Sequence, residues 1–379
     1  MRASLRAGLR RMIALLAVAV PGVAVAQVGM TRIEAGGLPV TLVYPTLQPA
    51  QARAFGPFML TVAPDSPLAP LLAAGPADAT PDGGAATAIE HRGARHRLIV
   101  LSHGTGGSTH SDHQLAATLA RAGFVVAQPL HAGDNHLDRS LAGPPSWQRR
   151  PREISRTLDA LAADPVWGPR LALERVGVHG MSAGGVTALV LAGASWRLLD
   201  LVRHCEQHAD DDPGFCFNGQ PTPQAQAARR ASFERVRGVP EAFLPAELTT
   251  VHGAPAGAGL PDARVAAVTV AVPVAAPFTA TRLRDVAIPV GVVSAGRDSL
   301  LLPRHHSEYL LHACPRCERI AHLAGAGHMD LLGPWPTEVG QRVAAGEARG
   351  GWPEPDFDPA ERQAAFDAIA AFFLRKLRP

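Results

Sequence analysis

Val176-Gly-Val-His-Gly-Met-Ser-Ala-Gly184 is the stretch of sequence from which the fold can be predicted. A short apolar strand runs directly into a glycine-rich turn, and the small, apolar residues 183–194 that follow predict a helix. The pattern Gly180-Met181-Ser182-Ala183-Gly184 favours a sharp, strained turn, because its glycines let neighbouring backbone pass close by. Such a turn exposes the Ser182 hydroxyl at a helix N-terminus, where backbone N–H groups favour negative charge. A glycine-rich turn without a role is the alternative in a chain with 37 glycines.

Strands and helices alternate on both sides of this turn. Apolar segments typical of buried strands lie at 38–44, 97–101, 124–128, 265–272, 286–293 and 319–323, and helical patterns at about 109–121, 152–163, 305–313 and 359–377. This alternation predicts a single α/β domain over residues 27–379, with a mostly parallel sheet that is covered by helices on both faces. Residues 195–262 are charged and rich in proline, and they interrupt the alternation. They are predicted to be an insertion that forms a lid over one edge of the sheet, and residues 62–95 are predicted to be a surface loop.

The first 26 residues have the pattern of a secretory signal peptide. Four arginines precede the apolar run 12–20, and the segment ends in Ala24-Val25-Ala26. A transmembrane anchor is the alternative, but the run is too short for a bilayer core and Pro21-Gly22 interrupts it. The sequence therefore predicts cleavage near Ala26 and a periplasmic or secreted protein without stable membrane insertion.

Composition and charge narrow the class of partner. The chain is 47% hydrophobic and 18% charged, which is typical of a globular protein. Beyond the signal segment, 32 basic side chains remain against 33 acidic ones, a balance of −1. A phosphate-binding surface needs a basic excess, so nucleic acid is not expected as a partner. The expected partner is a small-molecule ester, and the sequence leaves the oligomeric state open.

Four cysteines fit an oxidising compartment. Cys205 and Cys216 flank a polar loop, and Cys314 and Cys317 form a Cys-x-x-Cys pair. Four cysteines permit three pairings, of which we favour the local one, Cys205 with Cys216 and Cys314 with Cys317. A redox-active Cys-x-x-Cys and a four-cysteine zinc site are the less favoured alternatives.

A serine hydroxyl needs a base, and His328 is the best candidate for it. It lies on the small-residue loop Leu323-Ala-Gly-Ala-Gly-His-Met-Asp330, just beyond the last predicted strand. The chain has 16 histidines, and four others also lie near strand ends: His103, His110, His113 and His131. A metal cluster formed by these four is therefore an alternative. These four lack carboxylates or cysteines at a recognisable ligand spacing, so neither a metal nor a cofactor is expected.

The base in turn needs an acid that orients it, and Asp298 is the best candidate. In proteins with this turn the acid lies between serine and histidine along the chain, where Asp285 and Asp298 flank a predicted strand. Asp298 follows that strand and so lies at the carboxyl edge of the sheet, where α/β sites assemble, whereas Asp285 precedes it. Asp330 is expected to cap the turn after His328.

An acyl-transfer site also needs hydrogen-bond donors for the oxyanion of the tetrahedral intermediate. The N–H of Ala183, directly after the serine, is one expected donor. The loop His103-Gly-Thr-Gly-Gly107 is expected to supply the other, with the N–H of Thr105 favoured. The alternative role for His103 is to shape that loop by hydrogen bonds.

These motifs together resemble a branch of the α/β-hydrolases, the predicted dienelactone hydrolases that are related to platelet-activating-factor acetylhydrolases. The resemblance extends from about 38 to 377 and is carried by Leu38-Pro-Val-Thr-Leu-Val-Tyr-Pro45, Leu101-Ser-His-Gly-Thr-Gly-Gly107, Gln128-Pro-Leu-His-Ala-Gly-Asp134, Gly180-Met-Ser-Ala-Gly184, Ala295-Gly-Arg-Asp298 and Gly325-Ala-Gly-His328. It implies a metal-independent serine hydrolase acting on esters, with Thr105 and Ala183 at the oxyanion-hole positions. Dienelactone hydrolases use a cysteine nucleophile where this chain has Ser182, so the branch name does not indicate the substrate.

The sequence thus predicts a serine carboxylic-ester hydrolase that acts on small or short-chain esters through an acyl-enzyme. The alternatives are a lipase, cutinase or polyester hydrolase at interfaces, a phospholipid acetylhydrolase, and a non-catalytic binding protein on the same fold. An exposed aromatic cleft would favour the interfacial enzymes, and the tryptophans that could line one are Trp147, Trp167, Trp196, Trp335 and Trp352.

Overall fold

The computed structural model describes residues 27–46, 48–55, 58–63, 95–217, 222–253, 261–345 and 354–378. The predicted signal peptide, residues 1–26, lies outside these ranges, and so do residues 64–94 of the predicted surface loop.

The described residues form strands and helices that alternate along most of the chain. The strands are β1 (Gln27–Ala35), β2 (Leu38–Thr46), β3 (Gln51–Phe55), β4 (Phe58–Val62), β5 (His96–Ser102), β6 (Val125–Pro129), β7 (Leu171–Met181), β8 (Ser195–Trp196), β9 (His252–Gly253), β10 (Val265–Ala271), β11 (Val290–Ala295) and β12 (Cys317–Leu323). The helices are α1 (His113–Arg121), α2 (Pro144–Ala163), α3 (Ala183–Leu191), α4 (Leu198–His208), α5 (Pro213–Cys216), α6 (Pro223–Glu234), α7 (Ala246–Thr249), α8 (Ala280–Leu283), α9 (Ser307–Ala313), α10 (Thr337–Ala344) and α11 (Pro359–Lys376).

Eight of these strands form one central sheet in the order β1-β2-β6-β5-β7-β10-β11-β12. β2 runs antiparallel to both β1 and β6, and every other neighbouring pair is parallel. Parallel strands are buried on both faces and read as continuous apolar runs, as β5 and β11 do, where every residue is buried. The predicted α/β class with a mostly parallel sheet is confirmed.

Each face of the sheet has its own apolar core, because successive side chains of a strand point to opposite faces. On β5, Leu98 and Val100 pack with residues of α2 and α3, such as Ile154 and Leu189. The intervening Ile99 and Leu101 pack with residues of α1 and α11. Helices therefore cover both faces, and the carboxyl ends of the parallel strands meet at one edge.

The antiparallel β1–β2 hairpin is a feature that the sequence analysis did not identify. Its register pairs Ala35 with Leu38, and the two residues between them, Gly36 and Gly37, have φ of 63° and 76°. Two consecutive positive φ values are the requirement of a tight hairpin turn, which glycine meets without steric cost. The Gly-Gly pair was thus the local signal for β1, which begins directly after the predicted cleavage site.

Other element boundaries also differ from the prediction. α2 begins at Pro144, eight residues before the predicted start, and contains Pro151 in its interior. Proline normally ends a helix, which is why the apolar pattern alone placed the start after it. β11 begins at Val290, after Pro289, rather than at 286, and α10 was not predicted.

The inserted segment folds outside the central sheet. Between α3 and β10 its described residues form α4 to α7, and Ser195–Trp196 pairs with His252–Gly253 as the two-stranded ladder β8–β9. The sulfur atoms of Cys205 and Cys216 lie 2.10 Å apart, and those of Cys314 and Cys317 lie 2.19 Å apart. The predicted local pairing is confirmed.

None of the helices in the described part of the chain is both long and apolar enough to cross a bilayer.

A buried histidine in the central sheet predicts a specific pH dependence of stability. Burial lowers the pKa of His179, on β7, to about 3, whereas an unfolded histidine titrates near about 6.5. Below that value the unfolded chain takes up a proton that the folded chain does not, so stability present above pH ~6.5 is lost as pH falls toward ~3. We expect His179→Gln to flatten the decline of the unfolding free energy between pH 6 and 4 by about 1.4 kcal/mol per pH unit. Urea denaturation across this range tests it, and equal slopes for the two proteins would contradict it.

Candidate active site

Ser182 lies at the turn between β7 and α3 in a backbone conformation that non-glycine residues rarely adopt. Its φ is 55° and its ψ −117°, which costs about 1–3 kcal/mol and persists only where the surroundings hold it. The N–H of Ser182 donates to the carbonyl of Ala271 over 3.0 Å, and its own carbonyl accepts from the N–H of Val274 over 3.1 Å. The end of β10 and the segment directly after it therefore hold the turn in place.

The two outer glycines of the motif are required by close backbone contacts. A Cβ atom on Gly180 would lie 2.0 Å from the carbonyl oxygen of Gly184, and one on Gly184 would lie 1.9 Å from the carbonyl oxygen of Ser102. Neither position therefore accommodates a side chain without movement of backbone. Met181 and Ala183, between the glycines and the serine, are buried.

A second strained residue lies beside this turn. Val272 has φ of 38°, and its N–H donates to the carbonyl of Val293 over 3.0 Å. Positive φ in a β-branched residue is a steric outlier, and such outliers cluster at functional sites. The sequence analysis placed Val272 at the end of a predicted strand, and a residue before a proline is normally extended, so no local signal indicated its positive φ.

Asp298 and His328 form a buried pair at the same edge of the sheet. Asp298 follows β11 and His328 follows β12, and His328 Nδ1 lies 2.8 Å from Asp298 Oδ2. The other carboxylate oxygen, Oδ1, accepts from the N–H groups of Leu300 and Leu301 over 3.0 and 2.8 Å. The carboxylate is therefore fixed, and its acceptor oxygen requires the proton of His328 on Nδ1. This tautomer presents Nε2 as a proton acceptor.

The two aspartates set aside in the sequence analysis have other positions. Asp330 accepts the N–H of Gly327 over 2.7 Å through Oδ2, so it caps the turn that contains His328 rather than the turn after it. Asp285 lies at the opposite end of α3 from Ser182, where its carbonyl oxygen would be 2.8 Å from a Cβ on Gly193. Of these three aspartates, only Asp298 is hydrogen-bonded to the imidazole of His328.

Ser182 and His328 are both nearly buried at the carboxyl edge, at 9% and 8% exposure. Among the described residues the Ser182 hydroxyl makes no hydrogen bond to His328. Hydrogen bonds between nucleophile and base are often long or poorly aligned without substrate and tighten in the complex. The structure thus joins acid to base directly, and it brings serine and base to one edge without a hydrogen bond between them.

The loop after β5 borders the serine. A Cβ on Gly104 would lie 3.3 Å from Ser182 Cβ and 3.2 Å from Met181 Sδ. Thr105 is exposed at the tip of this loop, and no described residue accepts a hydrogen bond from its N–H. Ala183 is the first residue of α3, where the N–H has no helical partner. Ala183 thus follows Ser182 directly, and Thr105 follows the glycine that borders it; both stay predicted oxyanion donors.

A buried ion pair is hydrogen-bonded to the backbone of the loop after β5. Arg150, from α2, donates to the carbonyl of His103 over 2.5 Å and to Asp134 Oδ2 over 2.8 Å. Asp134 Oδ1 in turn accepts the N–H of Gly106 over 2.9 Å. Both charged side chains are almost completely buried. The sequence analysis missed this function: Asp134 lay in one of the motifs quoted above, but Arg150 had no local signal.

Two histidines extend this network in their neutral forms. His131 Nδ1 lies 2.7 Å from Glu153 Oε2, and its Nε2 lies 2.9 Å from the Ser102 hydroxyl. His103 Nε2 accepts the N–H of His131 and its Nδ1 lies 2.8 Å from the carbonyl of Gly104. Burial, together with the neighbouring charge of Arg150, lowers the pKa of both imidazoles well below the ordinary value. His103 therefore shapes the loop by hydrogen bonds.

Removal of the arginine is expected to destabilise the protein strongly. Arg150→Met leaves the Asp134 carboxylate buried without its cation, which costs about 3–5 kcal/mol of unfolding free energy. Urea denaturation at neutral pH measures this loss. The double variant Arg150→Met/Asp134→Asn is the matched control and should recover part of it, because no uncompensated charge remains. A loss below about 1 kcal/mol in the single variant would contradict the role of the ion pair.

In comparisons with known proteins, no family model matches the chain, and no curated protein matches it significantly in sequence.

Proposed function

We propose that the protein is a serine esterase with an α/β-hydrolase fold, in which Ser182 is the nucleophile, His328 the base and Asp298 the acid. The observation that carries this proposal is the 2.8 Å contact between His328 Nδ1 and an Asp298 carboxylate that two backbone N–H groups hold. A histidine fixed in this tautomer, at the edge where a strained serine turn also lies, suits proton transfer from a hydroxyl.

The connectivity supports the same proposal. The serine follows the central strand β7, and the acid and the histidine follow β11 and β12 on one side of it, beyond β10. The chain order is serine, aspartate, histidine, which is the order of α/β-hydrolases. The strained turn enters a helix directly, as the nucleophile turn of that fold does.

The proposed reaction has two steps with one covalent intermediate. Ser182 Oγ attacks the ester carbonyl carbon while His328 Nε2 takes the hydroxyl proton, and Asp298 stabilises the resulting imidazolium. The N–H groups of Ala183 and Thr105 donate to the oxyanion. Collapse of the tetrahedral intermediate breaks the bond to the alcohol, which leaves with the proton from His328. Water, deprotonated by His328, then attacks the acyl-enzyme. The bond between the acyl carbon and Ser182 Oγ breaks, and the proton passes from His328 to Oγ, which releases the carboxylic acid and restores the free serine.

The positions of the tryptophans favour small, soluble esters over interfacial substrates. Trp147, Trp167 and Trp196 are buried, so they line no exposed cleft, and Trp335 packs against Phe58 with a centroid separation of 5.6 Å. Trp352 lies outside the described residues. We therefore propose short-chain esters as the substrate class.

The acyl-chain profile tests this proposal. Initial rates on p-nitrophenyl acetate, butyrate and octanoate, and product release from an insoluble polyester film, are measured with the same preparation. We expect hydrolysis of acetate and butyrate to exceed that of octanoate, with no release from the film. A preference for octanoate and the film would instead indicate the interfacial enzyme, and no hydrolysis of any ester would contradict esterase function.

A further inference from the structure

A cluster of three imidazoles lies where the inserted segment meets the loop that carries Asp298. His204 and His208 are one turn apart on α4, and His305 comes from the turn before α9. Their ring centroids are separated by 5.0 Å (His204 to His208), 5.3 Å (His204 to His305) and 4.8 Å (His208 to His305). One ring nitrogen from each residue lies within 4.8 Å of those of the other two. We call these three residues the lid histidine cluster.

The cluster has the composition of a transition-metal site. Neutral imidazole is the commonest metal ligand in proteins, and a histidine pair at i and i+4 on a helix presents both rings on one side. All three residues are partly exposed, so an ion can reach them from solvent. Cys216, which is also near His204, is bonded to Cys205 and supplies no thiolate.

Two of the rings are hydrogen-bonded to carboxylates. His204 Nε2 lies 2.9 Å from Asp212 Oδ2, and His305 Nε2 lies 2.7 Å from Asp211 Oδ2. Metal-binding histidines characteristically donate their second ring N–H to a carboxylate in this way, which fixes the ring and its tautomer. Nδ1 of each of these two rings is thereby left for an ion. Asp212 is fully buried, and its Oδ1 has no hydrogen-bond partner among the described residues.

The surroundings disfavour hard cations. Arg304 donates to Asp211 Oδ1 over 2.6 Å, so this carboxylate is already neutralised. Ca²⁺ and Mg²⁺ require several anionic or carbonyl oxygens, whereas nitrogen ligands suit Zn²⁺, Ni²⁺ and Cu²⁺. The ion that this cluster is expected to bind is therefore a divalent transition-metal ion.

Such an ion would join two parts of the chain that are already in close contact. A Cβ on Gly214, in α5, would lie 2.4 Å from the carbonyl oxygen of Ser299, the residue after Asp298. The Cys205–Cys216 disulfide ties α4 to α5, and His306 Nε2 lies 3.1 Å from Asp212 Oδ2. The ligands on α4 and the ligand at His305 are thus held opposite each other before an ion arrives.

We propose that His204, His208 and His305 bind one divalent transition-metal ion of the Zn²⁺ class, with water as the fourth ligand, and that the ion fastens the inserted segment to the loop carrying Asp298. The sequence analysis expected no metal, and the histidines that it weighed as metal ligands were four others. This site is separate from the proposed triad, so it does not depend on esterase function.

Metal titration of chelator-treated protein tests the proposal without any activity measurement. Isothermal titration with ZnCl₂ should give one ion per chain, and Co²⁺ should give the ligand-field absorption of a tetrahedral site. At Zn²⁺ concentrations about 100-fold above Kd, Tm should rise by about 3 °C.

His208→Ala is the informative variant, because the His208 imidazole makes no hydrogen bond to a described residue, and its Nδ1 lies 3.9 Å from Asp211 Oδ2. It should fold with an unchanged metal-free Tm and bind Zn²⁺ about 100-fold more weakly. His312→Ala removes an exposed histidine of α9 outside the cluster and should bind as the unmodified protein does. Failure of the unmodified protein to bind Zn²⁺ stoichiometrically, or equal affinity in His208→Ala, would overturn the proposal.

Discussion

Replacement of Ser182 by alanine is expected to lower kcat for p-nitrophenyl acetate by about 10⁴–10⁶-fold, because the variant has no oxygen to form the acyl-enzyme. The fold should persist. Alanine keeps the Cβ that occupies the turn, the backbone bonds to Ala271 and Val274 do not involve the side chain, and no described residue hydrogen-bonds the hydroxyl. Steady-state kinetics together with Tm and circular dichroism measure the two effects separately.

Ser140→Ala, which removes an exposed serine hydroxyl outside the motif, is the matched control for this variant and should retain activity. Folded Ser182→Ala protein with undiminished hydrolysis would show that another residue forms the acyl-enzyme.

Asp298→Asn should lower kcat by about 10⁴-fold with little effect on the fold. The amide oxygen can replace Oδ1 as acceptor for the N–H groups of Leu300 and Leu301, which places the amide NH₂ opposite His328 Nδ1. A donor there forces Nδ1 to accept, and the imidazole proton moves to Nε2. The histidine then has no acceptor facing the serine and cannot take its proton.

Asp285→Asn provides the control for this charge removal, since Asp285 was the other aspartate that flanks a predicted strand and it lies at the opposite end of α3. The kcat of the Asp285→Asn variant should stay within about twofold of the kcat of the unmodified protein. If Asp298→Asn retained more than about a tenth of kcat, Asp298 would not be the residue that orients His328.

The central strands could be predicted because a strand that is buried on both faces needs a continuous apolar run, such as residues 97–101, which ends at a turn. The turn at Gly180–Gly184 could also be predicted from its motif, because close contacts within the turn and with the neighbouring strand require glycine at both positions. Disulfide pairing followed from short separations along the chain. Strand β1 was not predicted because its composition is ordinary. The Gly36-Gly37 turn was its one local signal, and it indicated pairing with β2.

The candidate site shows the same division. Asp298 and His328 could be placed because each directly follows a strand of a parallel sheet, so topology alone brings both to one edge. Arg150 lies in the middle of a helix 16 residues from Asp134, and the Val272 strain and the lid histidine cluster arise from segments that meet only in the folded chain. The i and i+4 spacing of His204 and His208 was a local signal for part of the cluster. No periodicity or spacing in the sequence encodes the contacts between distant segments.

Covalent trapping with an organophosphate ester such as diethyl p-nitrophenyl phosphate tests the nucleophile most directly, because the reagent phosphorylates an activated serine and releases p-nitrophenol. Intact-mass analysis and peptide mapping should show one diethylphosphoryl group per chain, on Ser182, with loss of ester hydrolysis in proportion and no adduct on the Ser182→Ala variant. Active protein that acquires no adduct, or that carries it on a different residue, would contradict the assignment of Ser182, His328 and Asp298.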